Sequence, residues 1–158
     1  MSRLELSRAL LTGDKLAPAR LNGRYLDPAA GASCPLGAAF LGTLHGPADV
    51  QRFYGLLKNS SYESATAFIL HGLMKAFPIL GLDVRAYPPL HKQLRADCPK
   101  VLDNGTYPTL NHAGPDGTLL GVWHLRRPRS IYAAIAQLND RYDWPKDKIA
   151  GMLARVGL

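Results

Sequence analysis

Cysteine is scarce in this sequence: Cys34 and Cys98 stand far apart, with no CxxC pair and no histidine at ligand spacing. That is neither a disulfide scaffold nor a zinc module, so both thiols are expected to be free, partly buried small hydrophobes. The five histidines, at 45, 71, 91, 112 and 124, form no HxH or HxxxH pair, and His71 reads as a hydrogen-bonded core residue rather than a metal ligand. Phosphate cradles of the GxGxxG and GxxxxGK[ST] kinds are missing, which disfavours the familiar nucleotide-dependent enzymes. The twelve acidic residues supply no convincing acid/base pair; Asp14, Asp27, Asp49 and Asp103 read as turn or cap positions. No cofactor and no metal is expected.

Long apolar runs are also lacking. The longest, Ala67 to Leu82, is interrupted by His71, Lys75 and Pro78 and is shorter than the roughly 20 residues that span a bilayer. It reads as a buried helix, not a membrane segment. The opening Met-Ser-Arg-Leu-Glu carries charge where a secretory signal needs an uncharged stretch, so a cytoplasmic location is expected.

What is present suits an ordinary packed domain. With 158 residues, 47% apolar and 20% charged, the chain is expected to form one globular domain over residues 1–158. The formal charge of +7 favours acidic partners through long-range attraction. A host protein or another acidic macromolecule fits that charge; nucleic acid is possible but not favoured. The basic residues are spread along the chain, and Arg126, Arg127 and Arg129 around Pro128 form the one tight cluster.

Local patterning predicts short helices joined by tight connections. Ser2 and Glu5 have capping-box spacing, Leu4, Leu6, Leu10 and Leu11 give an apolar side, and Gly13 suits a helix stop. Asn22-Gly23 suits a tight turn, although its flanks are brief for strands. Ser33-Cys34-Pro35 looks like a helix start with proline at the first helical position, followed by Leu36, Ala39, Phe40 and Leu44 on a buried side. Val50, Phe53, Tyr54 and Leu57 mark a third helix, which Asn59-Ser60-Ser61 closes. Glu63 to Phe77 is apolar on nearly every side and is expected to be the central helix, ended by Pro78.

Residues 82–98 give a poor pattern, with a short helix suggested by Leu90 and Leu94 after Pro88-Pro89. Tyr107 to His112 and Thr118 to His124, around Pro115-Asp116-Gly117, suggest a β-hairpin. Ile131, Ala134, Ile135 and Leu138 resume helical spacing, Asn139-Asp140 breaks it, and Ile149, Met152, Leu153 and Val156 restore it after Pro145. The expected fold class is therefore mainly α, of the α+β kind: a compact bundle of about six short helices with a small β-hairpin near 107–124.

Three functional classes compete. A cysteine-dependent hydrolase or transferase would use Cys34, activated at a helix start, with His112 as base. A helix-turn-helix nucleic-acid reader would use the last two helices with Lys146, Lys148 and Arg155, although Asp140, Asp143 and Asp147 would repel phosphate and Trp144 suits a packed anchor. The missing catalytic signatures and the positive charge favour the third class, a small binding or regulatory protein, with Arg126, Arg127, Arg129, Lys146 and Lys148 as its candidate partner-binding residues.

Leu-Thr-Gly at 11–13, Ser-Cys-Pro-Leu-Gly-Ala-Ala at 33–39, and Ile-Ala-Gln-Leu-Asn-Asp at 135–140 followed by Trp144 and Ile-Ala-x-x-Leu carry one resemblance. The chain resembles small actinobacterial and phage proteins of unknown function that share a Cys-x-x-Gly-Ala step and a late Asn-Asp step. The likeness covers about a third of the chain, at its two ends. It implies a bacterial or phage origin and an accessory, host-interaction role such as anti-defence, but no activity.

Overall fold

The computed structural model describes residues 4–102 and 130–158. It is mainly helical, with a small three-stranded sheet. Helix α1 (Leu6–Leu16) leads into short strands β1 (Ala19–Arg20), β2 (Leu26–Asp27) and β3 (Ala32–Ser33), which precede α2 (Pro35–Leu41). Next come α3 (Pro47–Lys58), α4 (Tyr62–Ala76), two single 3₁₀ turns, α5 (Pro88–Asp97) and a third 3₁₀ turn. Helices α6 (Ile131–Asp140) and α7 (Lys146–Arg155) complete the described chain. The hairpin expected near 107–124 lies outside the described residues.

Strand β3 is central in its sheet, parallel to β1 and antiparallel to β2. Asn22-Gly23 therefore does not close a hairpin; the turn carries the chain across β3 from one edge to the other. Gly23 accepts the required left-handed backbone at φ 75°.

The centre of the fold is α2. All seven of its residues are buried, and α1, α4 and α6 pack around it. Antiparallel α1 and α2 approach backbone to backbone: a Cβ at Gly13 would lie 1.7 Å from the Ala38 carbonyl oxygen, and one at Gly42 would lie 1.9 Å from that of Ala9. Gly13 is thus not the stop of α1, which runs on to Leu16; it is the point where two helix backbones touch.

The sequence expectation for α4 is corrected in the same way. Its bounds agree, with Ser61 as side-chain N-cap and Pro78 just beyond its end, but it is peripheral. Only Ile69 and Leu73 are buried, Phe68 is 58% exposed, and His71 is on the outer face instead of in the core. Glu63, His71 and Lys75 lie on one side of the helix and turn it outward, and the smaller α2, flanked on several sides, takes the interior.

The C-terminal helices close the core. Ser130 caps α6 by accepting from the Ala133 N–H at 3.1 Å, and Ile131, Ala134, Ile135 and Leu138 are buried. Helix α7 lays Ile149, Met152 and Leu153 inward and packs against α1. Between the two helices Trp144 is buried as the anchor of the turn. Helix α5 follows the Leu90 and Leu94 stripe, which the weak patterning of its surroundings had only suggested.

Candidate functional site

Cys34 caps α2, as its place before Pro35 predicts. Its extended backbone and its Sγ, which accepts from the Gly37 N–H at 3.3 Å, replace one of the hydrogen bonds a first helical turn lacks. Burial dominates the chemistry of this thiol. It is 8% exposed, and removal from water pushes its pKa up to about 11; backbone N–H groups of Gly37 and Leu36 pull the other way, and Lys146 opposes Asp140. A helix start alone therefore does not activate it. His112, its proposed base, lies outside the described residues, as do Arg126, Arg127 and Arg129.

Around Cys34 the polar side chains serve the fold. The ammonium of Lys146, 5% exposed, donates to Asp14 Oδ1 at 2.8 Å, the Ala17 carbonyl at 2.9 Å, Ser33 Oγ at 3.0 Å and the Ala19 carbonyl at 3.3 Å. Four acceptors share its three N–H groups, so no donor is left for a ligand. Ser33 Oγ in turn donates to the Ala17 carbonyl at 2.8 Å. Lys146 was grouped by sequence with the exposed partner-binding lysines; instead it fastens the segment after α1 to the start of α7.

A second tie is made by the Asn-Asp step. Asn139 Nδ2 donates to the Leu21 carbonyl at 2.9 Å, and Asp140 Oδ1 accepts from the Gly23 N–H at 3.2 Å. Arg20 reaches the Asn139 carbonyl at 2.6 Å and pairs with Asp143 at 3.1 Å. Asn139, Asp140 and Lys146 thus hold residues 17–33 against α6 and α7. A cleft of about 310 Å³ beside them is lined by Asp14, Pro18, Arg20, Pro145, Lys146 and Asp147. Both of its cations are already engaged with carboxylates or carbonyls. Among the described residues no group of three His, Cys, Asp or Glu side chains is placed to hold a metal ion.

The surface tells a different story. Every described lysine and arginine except Lys146 is exposed. Lys92 and Arg95 lie three residues apart on the outer face of α5, opposite buried Leu90 and Leu94. Lys100 follows just beyond the helix, and Arg155 at the end of α7 approaches Asp97 at 3.9 Å, on the side of α5 turned away from Arg95. Lys148 is exposed as expected, but its ammonium lies 4.0 Å from the centre of the Trp144 ring, where the π face attracts it. The cationic face of α5 escaped the sequence reading because residues 82–98 had no clear pattern; Lys92 and Arg95 at i, i+3 against Leu90 and Leu94 at i, i+4 were its signal.

In the last two helices, Lys148 and Arg155 are exposed and Lys146 is buried. Almost all of α6 is buried, and the exposed residues of α7 include Asp147 beside Lys148. Among the described residues no helix is long and apolar enough to cross a membrane. No known protein family, curated protein or solved structure matches the chain.

Proposed function

We propose that this chain is a small binding protein that engages an acidic partner protein through the cationic outer face of α5, which carries Lys92 and Arg95. The observation that carries this reading is the separation of roles: Cys34, the candidate nucleophile, and Lys146, a candidate partner-binding residue, are consumed inside the fold, whereas Lys92 and Arg95 face water together on α5. Such a surface accelerates encounter with an acidic partner and loses that advantage as salt screens it.

A protein fits better than nucleic acid, because two cations are fewer than the several phosphate contacts on which a nucleic-acid interface rests. A thiol enzyme fits poorly, because its nucleophile would have to ionise in a buried site that holds the proton on sulfur. An accessory role toward a bacterial host, which the resemblance implies, and a cytoplasmic setting belong to the same proposal.

Affinity capture from a bacterial lysate tests the reading. The wild-type chain and a Cys34→Ala variant should both recover one acidic protein in stoichiometric amount at low salt, and a Lys92→Glu/Arg95→Glu variant should lose it. Equal recovery by the charge-reversed variant overturns the proposed face. Preferential recovery of DNA or RNA by the wild type overturns the partner class.

A further inference from the structure

A different surface carries a second interaction. Helix α4 exposes Glu63, Ala67, His71 and Lys75, four residues at successive i+4 positions that form one ridge along its outer side. Phe68 flanks that ridge and is 58% exposed, with its ring stacked on Phe53 at 5.8 Å between centroids.

The ridge is complementary to itself. Its ends carry opposite charges about 18 Å apart, at a rise of 1.5 Å per residue, and its middle is small at Ala67. Rows at i±4 on two helices interdigitate in the commonest class of helix packing. Laid antiparallel about a two-fold axis level with Ile69, the row places Glu63 of one copy at Lys75 of the other and Ala67 at His71. The two Phe68 rings then lie near the axis. A two-fold contact of this kind uses the same patch on both copies and closes on itself.

We infer that the occupant of this face is a second copy of the chain, joined through antiparallel α4 helices. The contact is independent of the cationic face of α5, so each can fail alone.

Sedimentation equilibrium of the wild-type protein should give twice the chain mass of 17.2 kDa at micromolar concentration. Glu63→Lys and Lys75→Glu, each alone, set like charges against each other at both ends and should weaken association by about tenfold. The double variant Glu63→Lys/Lys75→Glu restores opposite charges and should recover the wild-type mass. All four positions of the row are exposed, so these variants keep the fold, which circular dichroism checks. A wild-type monomer at every concentration up to millimolar overturns the inference, and so does a double variant no tighter than the singles.

Discussion

Helices α1 and α2 meet backbone to backbone, whereas α3 and α4 meet each other and α2 at a cluster of aromatic rings. At the first junction two glycines let the helices touch, and Lys146, Asp14 and Ser33 seal the neighbouring polar groups. At the second, Phe40, Phe53 and Phe68 share edges and faces, and half of Phe68 remains in water. The contrast shows that apolar content does not decide what becomes the interior. Small residues and satisfied polar groups made α2 central; α4, richer in large apolar side chains, kept an outer face.

Glycine substitution breaks the comparison most severely. Gly13→Ala drives a methyl into the Ala38 carbonyl, which belongs to backbone and cannot turn aside. The expected cost is about 3 kcal/mol or more, a fall of roughly 10 °C in Tm or outright failure to fold. Gly55→Ala in α3 should do the opposite, because its added methyl meets nothing within 4 Å and helix interiors prefer alanine by about 0.5–1 kcal/mol. Thermal melts of the pair check both signs; similar losses would erase the distinction between the regions.

Lys146→Ala comes next. It leaves Asp14, Ser33 and two carbonyls without their shared donor, and losing one member of a buried pair costs about 3 kcal/mol. Arg52, paired with Asp49 at 3.4 Å on the surface of α3, is the control; Arg52→Ala should change stability by about 0.5 kcal/mol or less. Urea titration of both variants gives the difference directly.

Alkaline pH sharpens the same contrast. The folded state holds the Cys34 thiol protonated up to about pH 11, two units above the ordinary value, because burial penalises the thiolate. Unfolded chains ionise first, so the stability contributed is fully present below pH 9 and is lost as pH rises towards 11. The loss is about 2 kcal/mol. Tyr25, pushed up to about 12 chiefly by burial despite its hydrogen bond with Tyr132, adds a loss of the same sign between pH 10 and 12. Cys34→Ala should flatten the first part of the decline in ΔG against pH. An unchanged slope would mean that Cys34 is not sealed.

Much of this division was legible from sequence, and the rest was not for definite reasons. Periodicity and caps located α3, the Cys34-Pro35 start of α2, the stop at Asn139-Asp140 and the restart after Pro145, because each depends on neighbours along one helix. The role of Gly13 depends on Ala38, and that of Lys146 on Asp14 and Ser33, so neither is written in its own surroundings. Helix α4 was misplaced because its apolar content outweighs the polar row of Glu63, His71 and Lys75, which marks its outer side. At the candidate site, the capping position of Cys34 was readable but its depth was not; the cations of α5 were visible as letters, but the helix that aligns them was not.

The smallest expected effect tests the outer region on its own terms. Phe68→Ser removes a ring that is more than half in water, so the lost burial is partial, and the edge and stacking contacts with Phe40 and Phe53 are each modest. Phe40 and Phe53 stay buried beneath it, against each other at 4.9 Å and on the core beyond. A cost of about 1–2 kcal/mol is expected, measured on the protein diluted until it is monomeric. The same substitution should weaken self-association more than it weakens the fold, because in the paired state the ring is covered on both sides. A monomer cost near that of Gly13→Ala would instead make Phe68 a core residue that happens to show one edge, and α4 would then belong with α2, not with the surface.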